Sequence, residues 1–408
     1  MRRAVAGAAV LVCISCGGRS PNGASESDDS YAPQPASFRL TISVQGSGHV
    51  SLIPGAIECA ATCTAAFPDG TAVSLTAVSA TGGNFTGWSG ACSGTAPTCQ
   101  IVPQSDVTVG ASFGYEVTTL LPEGSGTFTT TLALNSSTVF VVRSTTEGVG
   151  LWAIPKSGGA PKFVAPAFGV ADVIVADDAY VYWTDWMGIH SVPVEGGSPS
   201  LLVQGSLIGG LALDEVGALY WVKANRYGTS GEVHRMQFRV DATIASGVNA
   251  NLGVAVDETY AYFTSASEDG TDHTIRRLSK KGGAVETIAT TTGIPLSVQV
   301  DARSVYYVDD AGSFSVWSMS KFGGDRRLLW SLNSWGFPRD IAVSDFAVWW
   351  VWNFGLTSVN GLYRSNGDGT GFAAVDGPYA DDNSWGGPRV DGAAVYYFHG
   401  GALLRRLK

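Results

Sequence analysis

Seven copies of one short phrase constrain this chain more than any other feature. Each copy is a short apolar strand ending at Asp or Asn, a small turn, and a second strand opening on aromatics. The copies centre on Asn135/Phe140, Asp177/Tyr182, Asp214/Tyr220, Asp257/Tyr262, Asp301/Tyr306, Asp345/Trp349 and Asp391/Tyr396. A period of roughly 40–45 residues is that of a chain laying down one four-stranded sheet per repeat. No stretch shows sustained helical periodicity. The apolar runs are short, alternating and closed by Gly, Asp, Asn or Pro.

Residues 170–205 show the repeat best. Val173–Ala176 reads as the inner strand, Tyr180–Asp185 as the second, Gly188–Pro193 as the third and Pro199–Val203 as the outer. Glu195-Gly196-Gly197 joins the last two as a hairpin turn, and similar turns recur at Gly158-Gly159, Gly282-Gly283 and Gly323-Gly324. The third copy lacks the glycines around Arg239-Val240-Asp241. The seventh copy stops after three strands at Leu403–Leu407, while Glu116–Leu121 lies unclaimed ahead of the first copy. The economical solution is a ring closed by this early strand, which leaves no open edges between the ends. The expected fold class is therefore all-β: a small disulfide-stapled module followed by a seven-bladed β-propeller at 115–408. Six blades is the alternative, if the degenerate first copy is not a blade.

The phrase Val181-Tyr182-Trp183-Thr184-Asp185 resembles the YWTD repeat of low-density-lipoprotein-receptor-type propellers and their bacterial relatives. Other copies keep only the aromatic pair, as in Tyr220-Trp221, Tyr306-Tyr307 and Trp349-Trp350. The resemblance implies a fold and no particular activity. Repeated in every copy, these rings are expected to pack between blades.

Residues 37–114 read as a separate module. It holds Cys59, Cys63, Cys92 and Cys99, which allow three pairings. The local pairs Cys59–Cys63 and Cys92–Cys99 are favoured because both close short turn-like loops. The segments Gly46–Val50, Cys59–Cys63, Phe67, Phe85–Cys92 and Ala111-Ser112-Phe113 resemble the divergent internalin B-type repeat, found as spacers in bacterial surface proteins. Trp88 is expected in the module core, and His49 at its surface.

The first residues read as an export signal. Arg2 and Arg3 precede an apolar run from Ala4 to Ile14, too short to stay as a bilayer span. It ends at Ser15-Cys16-Gly17-Gly18, which resembles a lipoprotein lipobox, although Cys13 replaces the usual Leu three residues before Cys16. The resemblance makes Cys16 the lipidation site, with 17–36 as a flexible tether. The expected address is the bacterial cell envelope, outer membrane or surface, with periplasmic or secreted protein as the alternative. Membrane contact is expected through the lipid alone, and the chain is expected to be monomeric.

A net charge of −10 argues against nucleic acid, which demands clustered Lys and Arg. Arg326-Arg327 and Arg405-Arg406 are expected as solvated strand positions. Turns joining strands 1–2 and 3–4 are short and uniform, whereas links 2–3 and blade to blade vary widely. The variable set carries the candidate binding residues: Trp186, Tyr227, Trp335, Arg339, Trp352, Phe354, Tyr379 and Trp385. Variable loops on a rigid frame tend to carry function. Aromatics mixed with Asp, Asn and Arg suit a protein or glycan, unless the rings fold back over the blade ends. No cofactor, metal or catalytic residue is expected, and the chain reads as non-catalytic. The alternative is a metal-dependent hydrolase or lyase in the channel, as in gluconolactonase-like and streptogramin-lyase-like propellers. Against it, the five histidines (His49, His190, His234, His273, His399) show no ligand spacing. Asp172 and Asp340 stand off the repeat and are placed near the channel; the repeated aspartates read as turn formers.

Overall fold

The computed structural model describes residues 37–46, 48–80, 83–115, 117–125, 127–146, 148–167, 173–224, 231–267, 271–332, 340–352, 360–379 and 386–408. Among these residues every regular element is a strand, and the strands form nine four-stranded sheets.

Two sheets build the small module. One orders Cys63–Pro68, Ser37–Gln45, Val107–Tyr115 and Gly83–Gly90; the other orders Ile57–Cys59, Gly48–Ile53, Val73–Ser79 and Thr98–Ile101. Alternation puts Phe38, Leu40, Ile42, Val50, Leu52, Val73, Leu75 and Val109 in one core. Trp88 joins them, donating Nε1–H to the Ala96 carbonyl at 2.8 Å, so its ring is core as expected. Disulfides join Cys59 to Cys63 and Cys92 to Cys99, the favoured pairing, with Cα atoms 5.9 and 6.2 Å apart. His49 is half-buried on its strand rather than at an exposed turn.

The other seven sheets span 127–166, 174–204, 208–248, 250–290, 294–332, 341–379 and 386–407, here called blades 1 to 7. Blades 1 to 6 pair four consecutive strands. Blade 7 takes its outer strand from Val117–Leu121, which pairs antiparallel with Ala402–Leu407. The innermost strands touch in succession, and that of blade 7 touches that of blade 1, so the series closes on itself. Leu120 and Leu121 are buried among residues of both terminal blades. Arg405 adds to the closure, donating to the Lys156 carbonyl at 2.7 Å and to Thr118 Oγ1 at 3.1 Å. The arginine pairs are thus partly structural. Arg326 likewise pairs with Asp309 at 3.1 Å and lies over the Trp317 ring at 3.9 Å.

At Asp257, Asp301 and Asp391 the repeated aspartate has a common job. Its Oδ1 accepts the N–H groups two and three residues ahead, closing the turn between strands 1 and 2, at 2.8 and 2.7 Å for Asp257 and 2.7 Å twice for Asp301. Its Oδ2 accepts the hydroxyl of the second-strand tyrosine, as Asp257 does from Tyr262 at 2.9 Å and Asp391 from Tyr396 at 3.2 Å. At four seams a lysine just past the third strand of the next blade reaches the aspartate. Lys280 reaches Asp214 at 3.0 Å, Lys321 reaches Asp257 at 2.7 Å, Lys156 reaches Asp391 at 2.7 Å, and Lys408 reaches Asp345. Where blade 2 has Val194 in place of that lysine, the facing residue of blade 1 is Asn135, a matched loss of both charges.

Burial pushes the Asp257 carboxyl up, but Lys321 and the turn N–H groups outweigh it and hold it below the usual carboxylate range. Asp391 is held low in the same way by Lys156. A carboxylate lowered on folding stabilises above its unfolded value, about 3.9, and loses that contribution as pH falls through the folded value. Lys321→Met is therefore expected to cost about 1–3 kcal/mol at pH 7, between exposed and fully buried pairs. The gap from wild type should shrink below pH 4 in urea unfolding. A gap independent of pH would show that packing, not the ion pair, holds the seam.

Candidate functional site

The variable-loop face is built on the ends of strands 2 and 3. In blade 2 the two-residue turn Trp186-Met187 joins Tyr180–Asp185 to Gly188–Pro193. Asp185 is buried beneath it. Its Oδ1 accepts the N–H groups of Met187 at 2.8 Å and Gly188 at 3.3 Å, and meets His190 Nε2 at 3.1 Å. A carboxylate only accepts, so Nε2 carries the hydrogen. The imidazole stacks on Trp183 with centroids 5.4 Å apart. Gly188 is required here: a Cβ would lie 1.9 Å from the Val203 carbonyl oxygen. The turn is thus clamped from below, and it presents Trp186 with 73% of its surface exposed.

Other polar clusters are tied into the blades. His234 stacks on Trp221 at 4.9 Å, with Nδ1 and Nε2 each 3.1 Å from a carboxylate, of Asp241 and Glu232. Asp272 accepts from Asn249 at 3.0 Å, Ser265 at 2.9 Å, Thr274 at 2.8 Å and Arg276 at 2.7 Å. Burial raises its carboxyl, but these bonds outweigh burial and hold it low. Asp309 is buried against Arg326 and Trp317, and burial lifts it above the usual carboxylate range. Toward the channel, Asp340 pairs with Arg389 of the blade 7 inner strand. Among the described residues no three His, Cys, Asp or Glu side chains converge as a metal set would.

Trp352 corrects the expected site. It ends the second strand of blade 6, Ala347–Trp352, and is fully buried. Its ring meets Trp330 edge-on at 4.6 Å and Phe314 at 6.5 Å, in the core between blades 5 and 6. A side chain enclosed by two blades cannot line a binding face. Tyr379 ends the outer strand of that blade. Tyr227, Trp335, Arg339, Phe354 and Trp385 lie outside the described residues, as do Cys16 and Asp172. The sequence reading missed the seam lysines, although three of them stand just ahead of a Gly-Gly turn, at Lys156, Lys280 and Lys321.

Comparisons with known proteins bear on fold more than on chemistry. The divergent InlB B-repeat domain family matches residues 40–117. No curated protein matches the chain. Among solved structures, a virginiamycin B lyase from Staphylococcus aureus, a catalytically inactive form with quinupristin, is 12% identical. Its TM-score is 0.55 over 72% of this chain and 99% of its own. An oligogalacturonate lyase from Vibrio parahaemolyticus is 9% identical, with a TM-score of 0.50 over 71% of this chain and 93% of its own. At such identity the likeness shows an all-β, propeller-like fold alone. It also corrects the expectation that the chain is not an enzyme. Lyases share this architecture, so the scaffold gives no ground for excluding catalysis.

Proposed function

We propose that this chain is a cell-envelope lipoprotein that binds a protein or glycan through the variable-loop face of a seven-bladed propeller. In this reading residues 1–16 are the signal ending at the lipidated Cys16, and 17–36 are the tether. Residues 37–114 are the spacer module, and 115–408 the propeller. The observation that carries the binding role is the blade 2 turn, where a buried Asp185–His190 pair fixes a backbone that holds Trp186 out in water. A large exposed ring on a fixed turn loses little conformational freedom on binding, which is why Trp dominates interface hot spots.

The test is capture from envelope and extracellular material with the soluble chain from residue 37 onward. Wild type is expected to retain a partner that Trp186→Ala loses, by about 2 kcal/mol or more, roughly thirtyfold in affinity. Equal capture by the two proteins would remove Trp186 from the site. For the anchor, Cys16→Ser is expected to move the protein from the membrane fraction to the soluble one.

A further inference from the structure

The opposite face, formed by the uniform turns, carries a cleft of 520 Å³ at the seam between blades 5 and 6, within the size range of small-molecule sites. Two departures from the repeat meet there. The first is Gly367. Its N–H donates to the Phe346 carbonyl of its own blade, as those of Lys156, Lys280 and Lys408 donate to Ser137, Thr259 and Ala393. Gly367 therefore stands where those seams have the bridging lysine. The second is the turn Asp345-Phe346. It joins its strands through only two residues, both at positive φ, 53° and 62°, without a glycine. Blade 6 thus sends no side chain from Gly367 back to blade 5, and it tips Phe346 into the cleft wall.

The cations of this cleft are exposed and keep N–H groups to offer, and two of the carboxylates have other partners. After the Thr370 bonds, the Arg327 charge also helps hold the Asp368 carboxyl low. The Arg303 guanidinium lies on the Phe346 ring, 3.8 Å from its centroid. Stacking occupies the flat face and leaves the N–H edge facing outward. Arg327 makes, among the described residues, one long bond of 3.4 Å to the Asp368 carbonyl. In contrast, Asp345 is taken by Lys408 and Ser344, and Asp368 by the Thr370 N–H and hydroxyl at 2.9 and 2.6 Å. Asp325 lines the exposed rim, where water screens it. The neutral lining has both polarities to spare. Ser320 Oγ accepts from the Phe322 N–H and keeps its own proton to donate; Asn366 donates through Nδ2 to Thr370 and keeps its oxygen to accept.

We propose that this cleft binds a carboxylate-bearing saccharide, a uronic acid unit, with Arg303 and Arg327 holding the carboxylate and Ser320 and Asn366 holding ring hydroxyls. Two guanidinium edges suit the two oxygens of a carboxylate. Mixed donors and acceptors beside them suit a polyol, each of whose hydroxyls both gives and takes a hydrogen bond. The site is independent of Trp186, which projects from the other face.

The experiment is calorimetric titration of the soluble chain with a four-unit glucuronic acid oligomer. Cellotetraose serves as the neutral saccharide and tetraglutamate as the acidic peptide. Wild type and Trp186→Ala are both expected to bind the glucuronic acid oligomer saturably, more weakly as salt rises. The double variant R303Q/R327Q, two exposed positions, should bind it at least about tenfold more weakly with unchanged thermal unfolding. Cellotetraose should not bind. Absence of saturable binding to wild type, or equal binding by the double variant, would overturn the site. Tetraglutamate binding as tightly as the oligomer would overturn the saccharide assignment in favour of an acidic peptide.

Discussion

Trp352→Ala is expected to lower the unfolding free energy by about 3–5 kcal/mol, the range for removing a buried tryptophan. The ring is enclosed by Trp330, Phe314 and the rest of the core between blades 5 and 6. Its loss leaves a cavity that two rigid sheets cannot collapse around. Urea unfolding of the soluble chain reads the effect directly, and Trp186→Ala, at an exposed turn, should shift it by less than about 0.5 kcal/mol. The comparison separates two tryptophans that the sequence places in the same class. A Trp352→Ala protein as stable as wild type would mean that the ring is not enclosed and would return it to the binding face.

Closing the ring is expected to matter even more. Leu121→Asp, and more so Leu120→Asp with Leu121→Asp, sets unpaired carboxylates among Leu132, Val139, Ile154, Tyr396 and Leu403. The lost apolar contact and the cost of burying a charge together exceed about 5 kcal/mol. That is a large share of the stability of an ordinary domain. The double variant should fail to show a cooperative unfolding transition by circular dichroism. Val117→Asp, on the same strand but 43% exposed, should stay within about 1 kcal/mol of wild type. If the double variant unfolds like wild type, Val117–Leu121 is not what holds blade 7 to blade 1.

Much of the architecture was legible in the chain because each repeat carries its own local instructions. An aspartate that bonds its own turn, an aromatic second strand and a Gly-Gly hairpin are short-range features, and their period survives sequence divergence. In blade 2 the expected strands match the observed ones within a residue or two. The closing strand was readable by arithmetic, since one copy lacked a strand and one strand lacked a copy. The disulfides were readable because short loops leave few ways to pair.

Burial was less legible. Second strands are covered on both faces by neighbouring blades, so Ala347–Trp352 is buried at every position and shows no alternation. Without that signal, a tryptophan next to Asn353 reads as the start of a loop. The same limit hid the seam lysines, whose partners lie 64 to 66 residues away at Asp257 and Asp214.

By itself, then, the sequence determined the repeat, the turns, the strand order and the two staples, all set by contacts between near neighbours in the chain. Only the tertiary structure decided that Trp186 faces water while Trp352 does not. It also brought Gly367 and the Asp345-Phe346 turn to one seam. Both outcomes depend on which blade stands beside which, and curling the sheets into a ring is what supplies those neighbours.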